Sequence, residues 1–305
     1  MLTFLLGRLA QAVPTLIGTS VVVFLLVHMT GDPALLMLPP DAPRSQVEAF
    51  RASLGFDRPL IVQYGDFMRG IARGDLGESF RFREPALGLV LQRLPATVQL
   101  TGLAVLLASL IGIPLGVLSA TARGSWIDAF ARGAFFLGQG IPPFWLGLML
   151  MVVFSVQLGV LPSSGRGTIA QLVMPVTTLT VFLTASLARL ARGGMIQALQ
   201  QDYVRTARAK GLGSRSVLFK HALRNTLIPV VTMIGLQIGH LLGGAVVTET
   251  IFAWPGVGRL VVDAVHARDF PIVQAAMLVI VTLFIAVNLV VDLVYGLLDP
   301  RILYE

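Results

Sequence analysis

The 305 residues are 55% apolar and only 13% charged, against about 25% charged in an ordinary soluble domain, and the mean hydropathy is +0.81. A soluble fold has no interior large enough to hide that much apolar surface, so the principal solvent is lipid. The formal charge of +7 comes without a domain-sized basic face or an aromatic-interleaved groove, which argues against nucleic acid, and the absence of cysteine excludes disulfides and thiolate metal sites.

The N-terminal stretch MLTFLLGRLAQAVPTLIG has no small-residue cleavage site behind a short apolar core, and reads as a retained first span. A helix needs roughly 20 apolar residues to cross a bilayer core of about 30 Å. Six stretches meet that length, near 9–29, 98–121, 134–161, 169–191, 227–250 and 272–298. The expected organisation is a first span in 1–29, an outer insertion in 30–97, and a five-span core in 98–305 with an inner loop at 192–226. The insertion, which includes SLGFDRPLIVQYGDFMRGIARGDLGESFRFREP, holds aromatics and balanced charge, so a small ordered cap is expected there. Pro114, the Pro142–Pro143 pair and Pro175 are expected to kink their spans without breaking them, because neighbouring helices can satisfy the freed carbonyls.

Arginine and lysine placement sets the orientation. With the N-terminus inside, the inner segments hold Arg8, Arg123, Arg132, the basic run from Arg189 to Arg224, and Arg301; the two short outer loops hold only Arg166, Arg259 and Arg268. An even number of spans then returns the C-terminus to the inside.

The inner run DYVRTARAKGLGSRSVLFKHALRNTLIP gathers six cations against Asp202 alone. Asp202 is a suitable N-cap for a helix running to about Lys210, and Gly211 is a suitable left-handed terminator before a second start at Ser214. Ala207 and Gly211, four apart, form a small face that another protein's surface could approach, flanked by Tyr203 and Leu212. A basic amphipathic helix resting on anionic lipid is the simpler reading, but lipid does not require a glycine turn at a fixed place.

In the fifth span, Gly235, Gly239 and Gly243 form a GxxxGxxxG packing face. Gln237 and His240 lie on another face and are candidates either for the lining of a path or for interhelical hydrogen bonds. Glu249, at the outer end, either lines the outer mouth or pairs with an arginine of the cap. The WPGVGRL turn places Trp254, Pro255 and Gly256 at the outer surface, as a docking edge or an interfacial anchor. Asp292 has Arg8, Arg189 or Arg192 as candidate neutralising partners, and His28 and His266 lack ligand-like neighbours.

The inner segment resembles the cytoplasmic coupling loop of ABC importer permeases, whose pattern is E-A-A, three residues, G, nine residues, I-x-L-P. Aligned on Gly211, this chain has Arg205, Thr206 and Ala207 for E-A-A, and His221, Leu223 and Arg224 for I, L and P. YVRTARAKGL with HALRNTLIPVVT is similar to the dipeptide/oligopeptide permease variant, and the likeness extends through TSVVVFLLVHMTGDPA, GDLGESF, RLPATVQLT, GGAVVTETIFAWPGVGRLVVDAVHARDFPIVQA and NLVVDLVYGLLDPRI. The resemblance implies an all-α membrane protein of six spans in the type I ABC importer (MetI-like) permease fold, in a bacterial inner membrane. It implies a homologous second permease, one or two kinds of ATPase subunit that bind ATP and Mg²⁺, and an extracytoplasmic binding protein, with no cofactor or metal in this chain. Tyr203, Arg205, Thr206, Ala207, Lys210, Gly211 and Leu212 would meet the ATPase. The implied cargo is a di- or oligopeptide, with glutathione, nickel complexes or another small solute as alternatives.

Two other classes fit less well. A self-sufficient secondary transporter calls for carboxylates near the membrane midplane, whereas Glu249 and Asp292 lie near boundaries. An enzyme calls for a catalytic signature, and the chain lacks H-E-x-x-H, G-x-S-x-G and the phosphate-binding loop.

Overall fold

The computed structural model describes residues 2–29, 42–53, 55 and 57–298. The GDPA run and Arg301 therefore lie outside the described residues. Helices dominate: α1 (Leu2–Met29), α2 (Arg44–Ser53), α3 (Leu60–Arg73), α4 (Ala86–Thr121), α5 (Trp126–Gly140), α6 (Pro143–Leu150), α7 (Ile169–Leu199), α8 (Asp202–Ala209), α9 (Arg224–Ile251), α10 (Val257–His266) and α11 (Phe270–Leu298). A π-helical stretch, Met151–Gln157, extends α6; a single helical turn, Ser214–Ser216, and a second π-helical stretch, Val217–Leu223, lead into α9. Among the described residues five helices are long and apolar enough to cross a membrane, or six if the bent pair Trp126–Gly140 and Pro143–Gln157 is one span.

That pair corrects one expectation. Pro114 and Pro175 are carried inside continuous helices, but at Pro142–Pro143 the axis turns by 95°. A residue before proline is driven out of the α region, and here two consecutive residues precede one. Ile141 (φ −83°, ψ 119°) and Pro142 (φ −62°, ψ 131°) are both extended, and Pro143 restarts the helix at its first position, where a missing N–H costs nothing.

The chain divides into two compact units. One comprises Ala96–Arg259 with the stretch from Ala286 onward, and α7 is its hub, packing against α5, α6 and α9. Its core joins Leu100, Ala104 and Ala108 of α4 to Leu179, Leu183 and Leu187 of α7, Val230 and Leu241 of α9, and Trp254. Small residues allow the helices to close up: a Cβ on Gly112 would lie 2.9 Å from the Thr184 carbonyl oxygen.

The other unit comprises Leu2–Pro95 with Leu260–Ile285. There α3 of the insertion packs on α1, with Phe24 against Tyr64 and Phe67 and the Ser20 hydroxyl 2.8 Å from the Tyr64 hydroxyl. His28 lies within hydrogen-bond distance of the Phe24 carbonyl and Gln63. Ser79 of GDLGESF donates to the buried Asp269 carboxylate of ARDFPIVQA at 2.5 Å, and the Arg81 N–H donates to the same oxygen at 3.1 Å.

Candidate functional site

The cationic segment is an elbow built on α8. Its helix ends in a Schellman turn: Gly211, at φ +78°, donates its N–H to Arg208, and Leu212 donates to the Ala207 carbonyl. A side chain with a β-carbon would be strained at that φ. Asp202 lies in the first turn, not at the cap, which is Gln201, and makes an exposed 3.3 Å pair with Arg205.

The elbow's small face points inward. Val204 and Ala207, three apart, are buried against Val217 and Leu199, so the Ala207 face is already occupied by this chain. Tyr203, Thr206 and Lys210 flank that buried stripe and stand exposed. Arg205, Gly211 and Leu212 are exposed as well, and Tyr203 (38% exposed) and Leu212 (40%) supply apolar surface among the cations. The expectation of an open small-residue face is thus replaced by an aromatic and an aliphatic side chain standing in a basic field. The elbow rests on a second cluster in which Ala222 of the π-helical lead-in packs with Met195 and Ala198 of α7 and Val117 and Ala120 of α4.

Just under one turn before Met195 of that cluster, Arg192 of α7 makes a bidentate ion pair with Asp128 of α5, Nε to Oδ1 at 2.8 Å and Nη2 to Oδ2 at 3.0 Å. Asp128 is 2% exposed and Arg192 20%. The Ser119 hydroxyl of α4 donates to Oδ1 at 2.7 Å and the Gly124 N–H to Oδ2 at 3.2 Å. Three helices are tied at one carboxylate. Arg192 is therefore engaged by Asp128, although it was one of three candidates for Asp292. The legible signal was Ser125-x-x-Asp128 after Gly124, a helix-start signature in which the Asp128 N–H also lies 3.4 Å from the Ser125 hydroxyl.

At the opposite ends of α7 and α9, Glu249 is fully buried. The Thr97 hydroxyl donates to its Oε1 at 2.6 Å and the Arg259 backbone N–H to its Oε2 at 3.0 Å. Thr97 in turn accepts from the Val257 N–H at 2.8 Å, and the Trp254 indole N–H donates to the Ala96 carbonyl at 2.9 Å. Gly256 backs directly onto the Glu249 carboxylate. Two expectations change here. Glu249 faces no opening and pairs with no arginine side chain; it holds the turn. Trp254 and Gly256 are buried by that same hydrogen bonding, which leaves only Pro255 partly exposed as a surface residue.

Within α9, Gly235 packs against Val291 of α11, Gly239 is half-buried, and Gly243 is exposed with no described atom within 4 Å of a Cβ built on it. Gln237 is half-buried and His240 exposed. No group of three or more His, Cys, Asp or Glu side chains with metal-binding geometry occurs among the described residues.

Residues 112–304 match the family described as the binding-protein-dependent transport system inner membrane component, and residues 1–101 match its N-terminal companion. The chain belongs to this permease family. Relatives agree over the full length of both chains: a dipeptide transport system permease protein of Alkalihalophilus pseudofirmus at 39% identity, its Escherichia coli namesake at 40%, and a glutathione transport system permease protein of Pectobacterium atrosepticum at 42%. Among solved structures, the MetNI methionine ABC transporter in an inward-facing conformation matches with a TM-score of 0.56 at 18% identity, covering 69% of this chain and 96% of that one. An amino acid ABC transporter with histidines matches at 0.52 and 19%, covering 70% and 94%. At that identity the likeness concerns fold alone, and the fold is that of type I ABC importer permeases. Members of the permease family are multi-pass membrane components of ABC importers, so this chain is a transporter subunit and not itself a catalyst.

Proposed function

We propose that this permease subunit forms half of the translocation path of a peptide importer and receives its driving motion through the α8 elbow. The single observation that carries the reading is the elbow's construction. A rigid glycine turn presents Tyr203 and Leu212 among exposed cations while Val204 and Ala207 anchor the same helix to the lead-in of α9. Lipid attraction accounts for the cations but not for a fixed turn packed onto a spanning helix. The partner at the elbow is an ATPase subunit carrying ATP and Mg²⁺, and its closure displaces α8 as a body, moving the helix that bears Gln237 and His240. The exposed His240 and the open Gly243 face the homologous second permease and the path. The elbow side is cytoplasmic, with both termini, and an extracytoplasmic binding protein delivers cargo to the other side of an inner membrane.

The cargo is a short peptide, the class named for the dipeptide relatives. Glutathione, named for another relative, is itself a peptide with a free amine and free carboxylates, and shares that chemistry.

The test uses the assembled importer in liposomes. Tyr203→Asp with Leu212→Asp is expected to lower uptake at least about tenfold while ATP hydrolysis continues, since burying two unpaired carboxylates in an interface costs several kcal/mol. Wild-type uptake by that variant would overturn the docking role. Ala207→Trp is unsuitable, because it disrupts packing inside the elbow before it meets any partner.

A further inference from the structure

A cavity of about 450 Å³ opens at the end of the Ala96–Arg259 unit away from the elbow, lined by Gln99, Arg166, Thr168, Leu172, Trp254 and Pro255 among others. Its one charged lining residue is Arg166. The guanidinium is pre-aimed: Nε and Nη2 both donate to Gln99 Oε1, at 3.0 and 2.8 Å, and the group lies 5.7 Å from the centroid of the Trp254 ring. No described carboxylate pairs with Arg166, and its Nη1 amino group makes no hydrogen bond within the described residues. A guanidinium held on one edge by a carboxamide, with the other edge free, is shaped to take a carboxylate through two parallel N–H···O bonds.

The floor is closed. Trp254 is fully buried and fixed to the Ala96 carbonyl, and Leu172 packs into the same core cluster. A cation at the rim of a dead-end recess suits a side chain that inserts and withdraws, not cargo passing through.

We propose that this cavity is a socket for an aspartate or glutamate side chain of the extracytoplasmic binding protein, with Arg166 as its charge partner. The inference rests on the importer reading above and adds to it the residue that receives the delivering protein and the chemistry it selects. Thr168 and the backbone around Gly167 form the polar rim, while the partly exposed Leu172 and Pro255 form the apolar wall against which the inserted side chain's methylenes pack. Trp254 thereby acts from beneath, by stacking under the arginine.

The experiment measures the Kd of the purified cognate binding protein for the complete importer in nanodiscs, at low and raised salt. Arg166→Glu is expected to raise Kd by about tenfold or more and to flatten its salt dependence, because a like charge replaces the attraction. Arg166→Lys falls between, since an ammonium cannot form the two-pronged contact. One Asp→Arg or Glu→Arg change on the binding protein should restore docking to the Arg166→Glu importer. A Kd for Arg166→Glu within about twofold of wild type overturns the socket. So does an equal loss from Arg268→Glu, another exposed arginine, because general surface charge then accounts for the effect. Normal docking by Arg166→Glu, with a selective loss of uptake for peptides bearing a free C-terminal carboxylate, overturns it in favour of a cargo site. If the wild-type importer binds no binding protein at all, the importer reading fails and takes the socket with it; normal wild-type docking with an indifferent Arg166→Glu removes the socket alone.

Discussion

Asp128 and Glu249 are both buried carboxylates of one compact unit, yet they are held in opposite ways. Asp128, near the elbow, meets a guanidinium head-on and adds a hydroxyl and an N–H. Glu249, at the far ends of α7 and α9, has no cation within its ring of donors and is satisfied by one hydroxyl and one backbone N–H. An ion pair binds strongly but depends on each partner; a dipole cage spreads the load over neighbouring backbone. The difference suits their positions: the Asp128 pair ties helices from three parts of the chain, whereas the Glu249 cage shapes one local turn against the start of α4.

Breaking the first region should have the largest effect. Arg192→Ala leaves buried Asp128 without its bidentate partner, only the largely exposed Arg132 remaining at 3.7 Å, and is expected to cost about 3–5 kcal/mol, read as a fall in thermal unfolding temperature in detergent. The double change Arg192→Met with Asp128→Leu should recover most of that loss, because two apolar groups need no pairing. A double variant no more stable than Arg192→Ala would show that the ion pair is not what holds those helices.

Next comes the cage. Thr97→Val removes the hydroxyl that donates to Glu249 and accepts from Val257, leaving two buried groups unsatisfied at about 1–3 kcal/mol each. Local hydrogen exchange at 254–259 should rise more than exchange around 128, and equal rises would contradict the local character assigned to the cage. Gly256→Ala drives a methyl into the Glu249 carboxylate and should cost about 1–3 kcal/mol by overpacking. The smallest effect is reserved for Asp202→Asn. Its ion pair with Arg205 is solvent-exposed, so no measurable change in stability is expected.

Much of this was legible in the residues. Hydrophobic length located six apolar stretches, five of which are single long helices and one the bent pair at Pro142–Pro143, and Gly211 announced the elbow's turn, because glycine ends a helix at positive φ without strain. The stretches RLPATVQLT and TETIFAWPGVGRL were each recognisable, but not that Thr97 of the first closes on Glu249 of the second, since pairing across 152 positions is a property of the folded chain. Ala207 was misread for a related reason. Spacing shows which residues share a helix face; which way that face turns is set by Val217 and Leu199, residues of other elements. The Asp128–Arg192 pair escaped because a lone acid and a lone base in apolar segments offer several possible matches, and only packing selects one. Pro142–Pro143 differed from Pro114 and Pro175 through its doubling, which removes two adjacent residues from the α region at once.

Helix α7 runs unbroken for 31 residues, about 46 Å at 1.5 Å per residue. It carries Arg192 toward one extremity and borders the Arg166 recess with Ile169 and Leu172 at the other. A rod of that length is stiff along its axis, and Pro175, near the recess, is the one place where its backbone ladder lacks an N–H. The two turns that border the recess are therefore the part of this strut tied least tightly to the shaft that carries Arg192.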